Sequence, residues 1–303
     1  MKLNAPASWK IALILAVGIL ATSTAAILVR LAMAEANVSG AGFSLVLAAS
    51  RLTLAAIALL PTWAHIYRSK PTPSAFRYAA LAGIALAVHF ATWVTSLSYT
   101  SIAASTTLVT TNPIWVALLS WWWFGEKPSP LTLVGMIIAL IGGVLMGWGG
   151  ETSAFGSNPL LGDGLALAGA WAASLYFLLG REAQQRGLGI GSYATVAYSV
   201  AAIALLPLPF LFGASYTGYA PLTYGYIALM AILPQLIGHT SLNWSVRWLS
   251  PTLVTLAILF EPVASSILGF LIFNEVPGLM VVIGAGGLLL GVAIATLSAK
   301  YPG

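Results

Sequence analysis

The amino-acid sequence predicts an all-α polytopic membrane protein: ten transmembrane helices, arranged as two inverted five-helix repeats around a central cavity. Three observations carry that expectation. The 303-residue chain is 59% hydrophobic and only 6% charged, against roughly 25% charged in soluble domains. Apolar runs of about 20 residues, the length of a helical span, follow one another with little chain left over. Two segments repeat each other at an offset of 149 residues. One carries Thr106, Asn112-Pro113, the run FGEKP at 124–128, Gly135 and Gly142. The other carries Thr255, Glu261-Pro262, the run FNEVP at 273–277, Gly284 and Gly291.

The spans fall near 10–31, 42–63, 76–97, 102–124 and 130–148, then near 160–180, 192–212, 223–244, 251–273 and 278–298. The first follows Lys2 and Lys10 and resembles a signal peptide, but its apolar run is too long for an h-region. The polar stretch 150–159 reads as a linker between a first repeat, 1–149, and a second, 160–303. Arg30 against Arg181, and Gly18 against Gly169, extend the repetition at an offset of 151. Five intervening spans would turn the second copy upside down.

Loop charges set the orientation. With a cytoplasmic N-terminus, Lys2, Lys10, Arg68, Lys70, Arg77, Lys127, Arg181, Arg186, Arg247 and Lys300 all face inside. Only Arg30 faces outside, and Arg51 falls within the second span. Both termini are therefore expected in the cytoplasm of a bacterial cell, with the chain a multi-pass protein of the inner membrane. Alternating strand patterns are absent, which argues against a β-barrel. The dispersed basic residues exclude a nucleic-acid partner, and the absence of cysteine excludes disulfides and thiolate metal sites. No cofactor or metal is expected. The partners are a lipid bilayer and a small-molecule substrate, for a monomer or weak homodimer.

The run from Pro113 to Gly147 resembles the repeat of the EamA-type transporters in the drug/metabolite transporter superfamily, where a Gly-Glu step ends one helix and spaced glycines follow. The second copy matches, with Asn274 in place of Gly125. Within that group the chain is most similar to the YddG-type aromatic amino-acid exporters, since His89 and Trp171 fall where cavity residues of that subgroup are expected. The resemblance implies export of small organic solutes through a central cavity by alternating access, with aromatic or apolar amino acids as the expected substrates and another metabolite class or drug-like compounds as the alternative.

Several residues are candidates for the site. His89 and Trp93 share a face of the third span, and Gln235, His239 and Asn243 share a face of the eighth, through steps of three and four. The two faces come from opposite halves. They either line one cavity or hold helices together. Trp171 and Tyr176 lie deep enough for an aromatic substrate to stack on them, or for ordinary packing. Glu261 is ionisable at membrane depth, where it costs at least ~2.5 kcal/mol unless paired or hydrated. It could bind a substrate ammonium, couple a proton, cap a kink or pair with Arg51. Asn112 is its uncharged counterpart. Pro113 and Pro262 each remove a backbone donor mid-span, either as matched hinges for two gates or as static kinks. Glu126 and Glu275 read as loop landmarks.

No catalytic residues are expected. An intramembrane enzyme would need a nucleophile and base in register, and neither GxSxG nor HExxH occurs. A channel would need a charged ring, while only Arg51 and Glu261 lie deep. A P-loop is also missing, so ATP does not drive transport within this chain.

Overall fold

The computed structural model describes residues 6–69, 71–100, 102–149, 158–273, 276 and 278–297. Most of the expected linker, with Asn274, Glu275 and Pro277 of the second repeat, lies outside the described residues. Helices α1 (Ser8–Ser23), α2 (Ala25–Ala36), α3 (Ala41–Ala58), α4 (Leu60–Ser69) and α5 (Pro73–Ser96) lead into α6 (Ile102–Val109), α7 (Asn112–Phe124) and α8 (Pro130–Gly149). The second half runs through α9 (Pro159–Gln185), α10 (Ile190–Leu205), α11 (Leu208–Leu211) and α12 (Pro221–Met230). A π-helical segment (Ala231–His239) joins α12 to α13 (Thr240–Ser245), and α14 (Pro251–Ile258), α15 (Glu261–Phe273) and α16 (Leu279–Leu297) follow. Among the described residues there is no strand.

Among the described residues, seven helices, counting end-to-end pairs as one, are long and apolar enough to cross a bilayer: Ser8–Ala36, Ala41–Ala58, Pro73–Ser96, Pro159–Gln185, Ile190–Leu211, Pro221–Ser245 and Pro251–Phe273. Apolar stretches Pro130–Leu145 and Leu279–Ala295 are shorter. The fourth expected span is divided between α6 and α7 at Thr110 and Thr111 and is not among the seven.

Local hydrogen bonding repeats with the sequence. Helix α2 ends with Asn37 N–H on Ala34 and Val38 N–H on Met33. Helix α9 ends with Gly187 N–H on Gln184 and Leu188 N–H on Ala183, the same four positions 150 residues later. Each end uses a left-handed residue, Asn37 (φ 50°) or Gly187 (φ 105°), to satisfy the last carbonyls. After α5, the N–H groups of 98, 99 and 100 bond to the carbonyls of 95, 96 and 96; after α13, those of 247, 248 and 249 bond to 244, 245 and 245.

Among the described glycines, the tightest backbone approach is between α8 and α16. A methyl built on Gly135 would strike Gly291 O and Ala295 N, and one on Gly142 would strike Gly284 O and Leu288 N. Only glycine lets the two backbones approach this closely. The early residue of one helix meets the late residue of the other, so the pair is antiparallel. Their outer faces expose Val134, Ile137 and Ile141, and Val282, Ile283 and Leu290, as apolar solvent requires. Helices α5 and α9 form the other extensive contact, with the Tyr176, Tyr193, Phe90 and Tyr198 side chains fully buried nearby.

Candidate functional site

Helix α5 is continuous through 24 residues and presents His89 and Trp93 stacked, with ring centroids 5.9 Å apart and planes 4° from parallel. His89 Nδ1 lies 2.9 Å from the Gly169 carbonyl. A carbonyl can only accept, so Nδ1 carries the proton and a neutral ring offers Nε2 as an acceptor. Gly169 allows the approach, since a methyl there would crowd the Trp93 Cβ at 3.2 Å.

His239 comes from the other half, at the end of the π-helical segment. Pro234 sits inside that segment; lacking an N–H, it cannot continue the α-helical ladder. The wider turn carries His239 to 6.2 Å from His89 and 5.2 Å from Phe90, ring to ring. Such single π turns mark functional sites in many helices.

Asn112 and Glu261 open α7 and α15, each after a two-residue break, Thr110–Thr111 and Leu259–Phe260. Pro113 and Pro262 follow, both buried. The prolines thus start new helices where the sequence expected kinks within single helices. The N–H groups of 111 and 260 bond to the carbonyls of 108 and 257, again 149 residues apart.

These pieces enclose one cavity. Thr22, His89, Trp93, Thr110 and Asn112 line it from the first half; Phe177, Leu242, His239 and Glu261 line it from the second. Its volume is about 40 Å³ for the centre of a water molecule, room for a few waters but not for an amino acid. Of the expected site residues, the structure brings His89, Trp93, Asn112, His239 and Glu261 together. Tyr176 and Asn243 stand behind them. Asn243 Nδ2 donates to the Tyr176 hydroxyl at 2.6 Å and to the His239 carbonyl at 2.7 Å, and Tyr176 lies 6.1 Å from His239.

Trp171 is not brought to the cavity. It is 52% exposed, tilted against Trp115 at 5.1 Å, because the face of α9 that turns inward carries Ala173 and Phe177 instead. The hydroxyls of Ser23 and Thr24, at the α1–α2 junction, and of Thr110 and Thr111, at the α6–α7 break, bond back to carbonyls three or four residues earlier.

Sequence reasoning missed two features. Pro234 was a visible signal for the irregular turn. Glu126 is more than a landmark: Arg181 Nη1 and Nη2 donate to its two carboxylate oxygens at 3.0 and 2.8 Å, while Arg181 Cζ stands 5.4 Å from the Phe124 ring. Arg30 Cζ stands 4.5 Å from the Phe273 ring, in the equivalent arrangement of the other half.

Comparison with known proteins places this architecture. The EamA-like transporter family model matches twice, over residues 8–148 and 160–297. The chain belongs to the EamA-like transporter family. It is a membrane transporter of small solutes, as members of that family are. An uncharacterized transporter from Clostridium kluyveri is 25% identical over 256 residues, covering 82% of this chain and 81% of that protein. A solved crystal structure of another protein superposes with a TM-score of 0.72 at 20% identity, covering 97% of this chain and 98% of that one. This second likeness concerns the fold alone. For an EamA-like protein, the cavity between the two matched regions is the place to look for the substrate.

Proposed function

We propose that the chain is a ten-span secondary carrier of two inverted halves, which exports aromatic or apolar amino acids across the bacterial inner membrane by alternating access. The observation that carries this reading is the exchange of contacts between the halves. Moving each partner of the Gly135–Gly291 contact to its counterpart 149 residues away gives Gly284–Gly142, and both contacts are present. Offsets of 151 for the arginine and 149 for the phenylalanine relate Arg30–Phe273 to Arg181–Phe124. A two-fold axis that exchanges antiparallel helices must run perpendicular to them. For helices that cross a membrane the axis lies in the membrane plane, the arrangement of carriers with inverted repeats.

The cavity sits between the halves and the two arginine–phenylalanine contacts sit at opposite ends, which supports one contact closing each mouth. Broken helices at 110–111 and 259–260 border the cavity and offer two hinges with Pro113 and Pro262 beside them. Glu261 would receive a substrate ammonium, and the Trp93 and Phe177 rings an apolar side chain. Export, as the direction, follows the family resemblance, and cytoplasmic termini follow the loop charges.

The test is flux of labelled amino acids into proteoliposomes, with and without a proton gradient. His89→Ala and Glu261→Gln should each slow uptake at least tenfold, while Trp171→Ala, half-exposed against Trp115, should change it less. If neither His89→Ala nor Glu261→Gln alters flux of any solute that the wild type moves, the assignment of this cavity is wrong.

A further inference from the structure

One buried charge has no counterpart in the site described so far. Arg51, near the middle of α3, is 1% exposed. Its Nε donates to Gln235 Oε1 at 2.9 Å, and its guanidinium lies over the Phe90 ring at 4.1 Å. Nη1 and Nη2 have no hydrogen-bond partner, and neither has Nε2 of Gln235. No carboxylate among the described residues comes within ion-pair distance of it. An arginine remains protonated in proteins, and a buried charge with unsatisfied donors is strongly unfavourable, even with Glu261 attracting it from beyond ion-pair distance.

Three donors with no acceptor make up the chemistry of an anion site. Two in-plane Nη groups match two carboxylate oxygens. One guanidinium neutralises one carboxylate, whereas a phosphate dianion would keep a net charge in apolar surroundings. The Phe90 ring under the guanidinium also lies 5.2 Å from the ring of His239 in the cavity wall. Gln235 and His239 both ride on the π-helical segment, so a shift of that one turn would move both groups together, and a turn of the Phe90 ring on α5 would then open Arg51 toward the cavity.

We infer that Arg51, held by Gln235, is the carboxylate-binding group of the substrate site. This deepens the reading of the chain as an amino-acid carrier and rests on it: Glu261 takes the ammonium, Arg51 the carboxylate, and the aromatic wall the side chain.

The experiment compares four solutes of one shape with the full chain in proteoliposomes: L-phenylalanine, 3-phenylpropionate, L-phenylalaninamide and phenethylamine. Binding is read independently, as thermal stabilisation of the purified protein by 3-phenylpropionate or its amide. The wild type should favour both carboxylates at least tenfold. Arg51→Gln should lose that preference in flux and in binding and leave the amine within twofold. Gln235→Leu, which keeps the charge, should weaken both carboxylates severalfold, so the site can be judged even if Arg51→Gln fails to fold. Equal transport of acid and amide by the wild type would overturn the inference. So would an equal loss on all four solutes in Arg51→Gln, or recovery of carboxylate flux in Arg51→Gln/Glu261→Gln, which would make Glu261 the true partner. Carboxylate binding that depends on Arg51, without flux of any of the four, keeps the site and removes the carrier reading. Neither binding nor flux removes both.

Discussion

The Tyr176 hydroxyl and the Asn243 amide meet from residues 67 positions apart, and both stand directly behind His239. Asn243 is spanned on its other side by Gln184, whose Nε2 donates to the Asn243 carbonyl at 2.8 Å. In a buried setting each neutral hydrogen bond contributes about 1 kcal/mol, and an orphaned partner costs about 1–3 kcal/mol. Tyr176→Phe should therefore lower stability by about 1 kcal/mol, and Asn243→Leu by more, because it also frees the tyrosine hydroxyl. Thermal unfolding in detergent checks this, and a wild-type melting temperature for Tyr176→Phe would show the bond to be idle. At this scale the sequence was legible where helical spacing put side chains on one face, as for His89 with Trp93. It was not legible for Arg51 and Gln235, which lie 184 residues apart and meet only through the fold. Trp171 shows the limit from the other side. Depth in a span tells that a ring is in the membrane, not which way its helix is turned.

Among the elements, the glycine crossing of α8 and α16 is the contact with least tolerance. A methyl at Gly142 would fall on backbone atoms, which cannot rotate away, and overpacking of this kind costs about 1–3 kcal/mol. Gly164 on α9 has open space around the same methyl, and there alanine improves helix propensity by up to about 1 kcal/mol. Gly142→Ala should thus melt earlier than wild type and Gly164→Ala no earlier; equal melting of the two would mean the helices separate freely. The Arg181–Glu126 pair calls for a different readout. With Glu126 42% exposed, such a pair contributes only about 0.2–1 kcal/mol to stability, so its removal should hardly move the melting curve. If it latches one mouth, Arg181→Gln should instead speed labelling of a Thr110→Cys reporter in the cavity severalfold. The chain contains no cysteine of its own, so the reporter is unambiguous, and an unchanged labelling rate would leave the pair as surface decoration. The prolines announced both helix breaks in the sequence, but not that α9 would run unbroken where its counterpart stops at Thr24.

For the molecule as a whole, the repeated offsets were legible because duplication preserves caps and glycines, and hydropathy placed the helices because lipid selects strongly against charge. What a linear pattern does not contain is the path by which the halves face each other. The antiparallel α8–α16 crossing supplies it, and the inversion it supports makes a prediction about equivalent loops. Ser39 lies just beyond α2 and Gln185 closes α9; both are exposed, and they flank the matching caps at Asn37 and Gly187. In a simple tandem repeat these loops would share one side of the membrane. In an inverted repeat they lie on opposite sides, and the loop charges predict which: Arg181, Arg186 and the Gln185 loop inside, the Ser39 loop outside. A membrane-impermeant maleimide added to intact cells should therefore label Ser39→Cys and spare Gln185→Cys until the cells are permeabilised. Labelling of both from outside, or of neither, would put the two loops on one side and would end the inverted-repeat reading together with the two-gate mechanism built on it.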